Sequence, residues 1–294
     1  ALVSSDSPAW AGDNTTLYVR GNSPHLDEKT MDIPATHREL VERAVAAYNV
    51  YHQKQTVLQK ALLIEHVVMH PAAKERLRAA LAQVTYATLL WDTWGLGEVI
   101  EKGRGASLLF YGPPGTGKTL MAQAIANEFG LEMKILGTGE LQSSVPGQME
   151  RSVQEAFAQA IKNKWLLVFD ECDSLIYDRN DIGMILGAQV NALLSALERF
   201  TGIVVFTTNR LGVMDGAFER RLALKLEFPF PDAPARAAIW TRLIPKKMPI
   251  DPRIDLIKLA MIPLSGGHIK NCVLSAARLA AYRKLTAVSA ECFV

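Results

Sequence analysis

The sequence predicts an α/β fold in which a parallel β-sheet with flanking helices is preceded by a helical N-terminal segment and followed by a small α-helical domain. Three apolar runs of strand length predict the sheet, because each ends in polar residues before the pattern changes. Beyond Phe228 the apolar residues keep helical spacing alone. We expect an N-terminal arm and helical segment at 1–90, an α/β domain at 91–228 and a helical domain at 229–294.

The N-terminal segment carries no predicted chemistry. Residues 1–33 are rich in Ser, Asp, Asn, Gly and Pro, which is typical of a loosely held arm. Apolar residues recur at three- and four-residue steps over 35–70, and Pro71 opens another helix. These helices could dock partners or brace the next domain. His66 and His70 lack a third ligand, so we interpret them as ordinary helix positions.

The stretch from Ser107 to Gly130 predicts a strand, a glycine-rich loop and a helix. Within it the spacing GxxxxGK[ST] is matched by Gly112, Gly117, Lys118 and Thr119. Such a loop directs backbone N–H groups and a helix N-terminus at a phosphate. Lys118 would neutralise phosphate oxygens, and Thr119 would hold Mg²⁺. We therefore predict a P-loop NTPase sheet whose nucleotide contacts Gly112, Pro113, Pro114, Gly115, Thr116, Gly117, Lys118, Thr119 and Leu120.

A second buried strand ends in carboxylates. The segment KWLLVFDECD, residues 164–173, has consecutive apolar residues before Asp170 and Glu171. Ligands bind at the carboxyl ends of strands in open α/β sheets. We expect Asp170 to bind nucleotide-bound Mg²⁺ through water, with Thr119 as the other metal ligand, and Glu171 to polarise the attacking water. Asp173 is instead a candidate helix cap.

A third strand, IVVFTTNR, places Asn209 at its end. A neutral amide suits contact with the γ-phosphate and the attacking water, because it adds no negative charge. Arg220 and Arg221 follow a short predicted helix and are candidate arginine fingers, although paired arginines can also be a solvated patch. The predicted catalytic residues are Glu171, Asn209, Arg220 and Arg221.

Two further segments are candidates for contact with the base. Leu96 and Gly97 precede the P-loop strand, where an apolar side chain could cover adenine and a glycine could admit close approach. The alternative is a linker at a domain edge. Gly266 and Gly267 begin the last predicted helix, so their amides could face a phosphate or adenine, with His268 beside them.

Together these motifs resemble those of the AAA+ ATPases. GPPGTGKT, the strand ending in DE, TTNR, AFERRL and SGGHIK occur in that family's order over about 94–283. The adjacent arginines look like those of spastin, katanin and bacterial single-ring AAA proteins. The resemblance implies ATP and Mg²⁺ as cofactors and a homo-hexamer in which Arg220 and Arg221 act in trans. It also implies that Asn209 is sensor 1 and that residues 266–267 occupy the lid position called sensor 2.

Two departures from the family pattern bear on substrate handling. The loop before the helix near Met149 carries Val145 where protein-translocating members usually have an aromatic residue. We therefore expect a weak grip and limited pulling if this loop lines a pore. The lid lacks the sensor 2 arginine of many AAA+ branches, as is common in the AAA clade.

Composition limits the compartment and the partners. Lys and Arg total 32 against 30 for Asp and Glu, so nucleic acid and anionic membranes are not indicated. The 3 cysteines are widely separated, which suits the cytoplasm or another reducing compartment. No apolar run approaches the length of a membrane span, and the first residues lack the layout of a secretory signal.

The resemblance implies an ATP-hydrolysing ring motor that remodels or disassembles a protein complex. The alternative is a nucleic-acid-dependent AAA+ loader or initiator, which the balanced charge and the absence of a basic module at AVSAECFV disfavour. A nucleotide-stabilised scaffold is a third possibility, and Glu171 and Asn209 argue against it. The sequence does not identify the protein substrate.

Overall fold

The computed structural model describes residues 62–137, 148–173, 184–210 and 214–293, without the side chains of 148–150 and 184–189. Residues 62–294 belong to one compact unit. The predicted arm, the helices before residue 62 and the loop containing Val145 lie outside the described residues.

A parallel five-stranded sheet forms the centre of this unit. The strands are β1 (Ala106–Tyr111), β2 (Glu132–Gly137), β3 (Trp165–Asp170), β4 (Ile203–Thr208) and β5 (Leu224–Glu227). Their order is β2-β3-β4-β1-β5. The register aligns Tyr111 with Thr208 and Phe169 with Phe206, so β1, β3 and β4 end at the same edge. The predicted parallel α/β sheet is confirmed.

Strand burial follows position in the sheet. All six residues of the central strand β4 are buried, which explains its continuous apolar run. The edge strand β5 alternates instead, with Leu224 and Leu226 buried and Lys225 and Glu227 exposed.

Nine α-helices surround the sheet or follow it within the described residues. They are α1 (Pro71–Thr85), α2 (Leu96–Val99), α3 (Lys118–Glu128), α4 (Gln148–Asn163), α5 (Met184–Arg199), α6 (Gly216–Glu219), α7 (Ala233–Leu243), α8 (Leu256–Met261) and α9 (Gly266–Tyr282). Short 3₁₀ helices lie at Ile64–His66 and Ala290–Phe293, and a π-helical turn lies at Thr88–Thr93. Side chains that accept backbone N–H bonds cap five of the helices in the described residues: His70, Asp215, Asp232, Asp255 and Ser265.

The two faces of the sheet have separate apolar cores. Leu109 of β1 packs into the core on one face, whereas Leu108 and Phe110 pack into the core on the other. The second core also contains Leu77 and Leu81 of α1. The apolar side of α1 is therefore buried together with the sheet, which agrees with the expectation that this helix could brace the α/β domain.

The helices after β5 form a C-terminal helical group, residues 233–293, with its own core. Trp240, Ala260, Ile269 and Val273 are buried in it. Trp240 meets Phe293 edge to face, with ring centres 5.8 Å apart. Among the described residues, no helix is long and apolar enough to cross a membrane.

Candidate functional site

The loop between β1 and α3 depends on glycines in conformations that other residues rarely adopt. Three of them have φ of 139°, 75° and 105°: Gly112, Gly115 and Gly117. A Cβ at Gly112 would lie 2.2 Å from the carbonyl oxygen of Phe228, just after β5. The Thr116 hydroxyl donates to the carbonyl of Pro113 at 2.8 Å and closes the turn. The loop therefore leads the backbone closely past β5 and into α3.

Lys118 is the first residue of α3 and is buried. Its Nζ donates to the carbonyl oxygens of Gly112 at 2.7 Å and Pro113 at 2.9 Å. It also donates to Oδ1 of Asn209 at 2.8 Å. The three ammonium protons are thus shared between the P-loop and the end of β4. Two predicted residues from separate motifs, Lys118 and Asn209, are in direct contact.

The Lys118 ammonium lies in an environment suited to an anion. Burial lowers its pKa below 10.5, and the nearby carboxylates of Asp170, Asp173 and Glu171 oppose that shift. Because desolvation outweighs these attractions, the charged form is less favourable here than in water. An anionic ligand beside Nζ would stabilise the ammonium and offset the cost of its burial.

The carboxyl end of β3 is fixed by Thr207 of β4. Asp170 is half-buried, whereas Glu171 is exposed and has φ of 52°. The Thr207 hydroxyl donates to Oδ1 of Asp170 and accepts the Glu171 N–H at 3.1 Å. The Thr207 carbonyl accepts the N–H of Cys172 at 3.0 Å. Asp170 and Glu171 thus lie at the sheet edge where Asn209 ends the neighbouring strand.

Asp173 contacts the end of β4, and its predicted role as a helix cap stays a prediction. Its Oδ1 accepts a hydrogen bond from the Thr208 hydroxyl. Thr208 follows Thr207 in β4, so the two threonines bind one carboxylate at the end of β3 and one just after it. The residues that Asp173 would cap are outside the described part of the chain.

The remaining predicted P-loop residues surround Lys118 with graded exposure. Pro113 and Pro114 are exposed, Thr119 is half-buried and Leu120 is 50% exposed on the first turn of α3. Thr119, whose hydroxyl is the predicted metal ligand, directly follows the buried Lys118 in the sequence.

The N-terminus of α9 lies against the P-loop. The Gly267 N–H donates to the carbonyl of Gly115 at 2.9 Å. Ser265 caps α9 by accepting the His268 N–H at 3.3 Å, and its hydroxyl lies 2.9 Å from Nδ1 of the same histidine. A Cβ at Gly115 would lie 2.6 Å from the Ser265 hydroxyl. The structure thus brings the segment that contains Gly266, Gly267 and His268 to the predicted phosphate site.

The two predicted arginine fingers have different surroundings. Arg221 donates from Nε and Nη2 to Oε1 of Glu198, the first at 2.9 Å, and from Nη1 to the Ala217 carbonyl at 2.7 Å. Lys102 also donates to Glu198 at 3.1 Å, and these two cations lower the pKa of Glu198. Arg220 is exposed and makes a hydrogen bond of 3.0 Å to a carbonyl of α6. Arg221 therefore connects α6 to α5, whereas Arg220 faces solvent.

Leu96 and Gly97 begin α2, beside the π-helical turn. A Cβ at Gly97 would lie 2.8 Å from the carbonyl oxygen of Trp91. The Arg104 guanidinium donates to the Gly97 carbonyl at 3.2 Å and lies 5.6 Å from the centre of the Trp91 ring. Close packing accounts for this glycine, and a contact of Leu96 or Gly97 with the base stays a prediction.

His66 and His70 have local structural roles. Nδ1 of His66 accepts the Leu63 N–H at 3.0 Å, and Nδ1 of His70 accepts the Ala72 N–H at 3.3 Å at the start of α1. Both rings therefore cap backbone donors.

Sequence reasoning missed Thr207 and Ser265. Thr207 belongs to the buried strand β4, and the signal is a hydroxyl directly after four apolar residues. Ser265 precedes the two glycines that begin α9, and serine at that position is a common helix cap.

Comparison with known proteins agrees with this geometry. Residues 108–230 match the family model described as ATPase family associated with various cellular activities (AAA). The chain contains an AAA ATPase domain. The predicted family is therefore confirmed, and the AAA domain contains the P-loop, Asp170, Glu171, Asn209 and both arginines.

The relatives of this AAA domain include three much longer proteins. A cell division cycle protein 48 homolog from Archaeoglobus fulgidus is 37% identical over 169 residues, which are 55% of this chain and 23% of that protein. A 26S proteasome regulatory subunit 8 homolog from Schizosaccharomyces pombe is 34% identical over 200 residues, which are 63% of this chain and 49% of that protein. Peroxisomal ATPase PEX6 from Pichia angusta is 34% identical over 178 residues, which are 55% of this chain and 16% of that protein. The chain spans half or less of the length of each.

Proposed function

We propose that the protein hydrolyses ATP with Mg²⁺ at the site around Lys118. The observation that carries the proposal is the meeting of three motifs at one sheet edge. Lys118 contacts the P-loop carbonyls and Asn209 directly, and Asp170 and Glu171 lie at the carboxyl end of β3, which pairs with β4. This is the arrangement that phosphoryl transfer requires, since its catalysis depends on positioning and charge neutralisation.

The oxygen ligands of the site suit Mg²⁺, a hard cation that prefers hydroxyl and carboxylate donors. The Thr119 hydroxyl and the Asp170 carboxylate would hold the ion, which supplies charge neutralisation at the phosphates. Glu171 would orient the attacking water. Lys118 would exchange its contacts with the P-loop carbonyls and with Asn209 for contacts with phosphate oxygens. The Asn209 amide would then be released to contact the γ-phosphate.

Two substitutions test hydrolysis at this site. Glu171→Gln keeps the shape of the side chain but removes its charge, so we expect ATP binding at wild-type affinity and a turnover reduced about 100-fold or more. Lys118→Ala should lose ATP binding itself. Phosphate release and nucleotide fluorescence titrations measure the two properties separately. A wild-type rate in Glu171→Gln would show that the assignment of water activation is wrong.

We also propose that the active form is a ring of identical subunits with Arg220 acting on the nucleotide of the neighbour. The exposure of Arg220 supports this assignment, because a finger supplied in trans has to lie on the surface. The internal bonds of Arg221 suit a supporting role in its own subunit.

Remodelling of a protein complex is the use of ATP that we favour. One relative is named as a 26S proteasome regulatory subunit, which supports a protein substrate. The formal net charge of +2 offers no broad attraction for nucleic acid. ATPase rates with candidate protein partners, single-stranded DNA and double-stranded DNA separate the alternatives. Stimulation by DNA alone would favour the loader or initiator function instead.

A further inference from the structure

Thr207 is a buried polar residue that follows four apolar residues in β4. It is 1% exposed near the carboxyl end of β4, whose preceding residues, Ile203–Phe206, are all apolar and buried. A valine would fill this place without needing a hydrogen-bond partner, whereas a buried hydroxyl needs one. The partners of Thr207 therefore indicate what the residue does.

The Thr207 hydroxyl binds two consecutive residues of the site. It donates its single hydrogen to Oδ1 of Asp170, so the bond from the Glu171 N–H at 3.1 Å goes to an oxygen lone pair. The carbonyl of the same residue accepts the N–H of Cys172 at 3.0 Å and its thiol at 3.1 Å. One residue of β4 thus holds three successive residues at the end of β3, Asp170 to Cys172.

These bonds stabilise a backbone turn that is otherwise unfavourable. Glu171 has φ of 52°, in the left-handed region that residues with a Cβ seldom occupy. Its N–H is directed at the Thr207 hydroxyl in this conformation. The turn leaves the Glu171 side chain exposed while Asp170 stays half-buried. The turn therefore places the Asp170 carboxylate in a half-buried environment and the adjacent Glu171 carboxylate in an exposed one.

We propose that Thr207 is a positioning residue of the ATPase site, which orients Asp170 towards the metal and fixes the turn that directs Glu171 at the attacking water. The inference rests on the proposed function, since it assumes that Asp170 and Glu171 have those roles. Thr207 itself touches neither nucleotide nor water in this account.

Three substitutions test the role of the hydroxyl. Thr207→Val removes it and keeps the branched shape, and Thr207→Ser keeps it. Thr85→Val is the matched control, because the Thr85 hydroxyl donates only to the Leu81 carbonyl within α1, at 3.2 Å. The measurements are kcat, the affinity of the ADP complex for Mn²⁺ by electron paramagnetic resonance, and ADP affinity in EDTA.

We expect Thr207→Val to lower kcat and Mn²⁺ affinity about 10- to 100-fold, the range for residues that orient metal ligands. ADP affinity in EDTA should stay at the wild-type value, because the P-loop is untouched. Thr207→Ser should recover most of both losses, and Thr85→Val should match the wild type.

Wild-type kcat and Mn²⁺ affinity in Thr207→Val would overturn the inference. An equal loss of metal-free ADP affinity would also overturn it, because the effect would then be general damage to the fold. If Thr207→Val does not fold, Thr207→Ala and Thr207→Ser are compared in the same way. A wild-type rate in Glu171→Gln, measured in parallel, would contradict the proposed function rather than the role of Thr207.

Discussion

Lys118 couples the site to pH at the scale of a single residue. Burial lowers its pKa below 10.5, so the ammonium begins to lose its proton at a lower pH than a free lysine does. Because phosphate binding needs the charged form, we expect ATP affinity to weaken as the pH rises through the lowered pKa, below 10.5. Fluorescence titrations across this range measure the effect. In Lys118→Arg the guanidinium keeps its charge, so the ATP affinity of this variant should not weaken over the same pH range.

The same shift has the opposite effect on the stability of the nucleotide-free protein. Between the lowered pKa and 10.5, the unfolded state binds more protons at Lys118 than the folded state does. The free energy of unfolding contributed by this residue therefore rises with pH in that window. Thermal unfolding of the wild type and Lys118→Ala should show a difference that changes in this direction. A difference that is constant with pH would contradict the shifted pKa.

Substitutions of Arg220 and Arg221 should have different effects on stability, because only Arg221 joins two helices of its own subunit. Arg221→Ala removes hydrogen bonds to Glu198 and Ala217 that join α5 and α6, so we expect a lower melting temperature. Arg220→Ala should leave the melting temperature unchanged and still reduce turnover. Glu198→Gln is the control for the Arg221 contact and should also lower the melting temperature. Equal melting temperatures for both arginine variants would contradict this division of roles.

At the scale of elements, the contact between α9 and the P-loop depends on Gly115. Gly115 and Gly130 have similar backbone conformations, with φ of 75° and 63°. A Cβ at Gly130 would meet open space, whereas one at Gly115 would collide with Ser265. We expect both Gly→Ala variants to lose about 1–2 kcal/mol of stability through backbone strain. Only Gly115→Ala should also weaken nucleotide binding.

A double variant tests the cause of that weaker binding. Ser265→Gly removes the hydroxyl with which the new methyl group of Gly115→Ala would collide. The double variant should therefore bind ADP more tightly than Gly115→Ala alone, as measured by fluorescence titration. If the two bind equally weakly, the collision with α9 is not what disturbs the site.

The elements themselves were largely predictable because their signals are local. The apolar runs that end at Asp170 and Asn209, and the spacing around Lys118, predict strands and a P-loop without knowledge of the fold. The last helix, α9, begins at Gly266, where the glycine pair predicts its start, and ends at Tyr282.

The parts of the site that the sequence did not predict depend on contacts between residues far apart in the chain. Thr207 reaches Asp170 across neighbouring strands, and Arg221 meets Glu198 across two helices. Neither pairing has a periodic pattern along the chain. The sequence left open whether α1 docks partners or braces the next domain, since an amphipathic helix does not show which surface it covers.

At the scale of the whole molecule, a site completed by a neighbour makes activity depend on assembly. We expect the ATPase rate per subunit to fall steeply on dilution, as measured by phosphate release alongside sedimentation. Dilution should leave ADP binding largely intact, because Lys118 and the P-loop belong to one chain. A constant rate per subunit in a sample that sediments as a monomer would contradict the proposed ring.

Mixing two inactive variants tests the central claim, ATP hydrolysis at a site shared between subunits. Lys118→Ala subunits lack a working nucleotide site but keep Arg220, whereas Arg220→Ala subunits keep the nucleotide site but lack the finger. We predict that each variant alone is inactive and that mixed assemblies regain turnover at interfaces that combine the two intact parts. Formation of stable mixed assemblies with no recovered phosphate release would contradict the account.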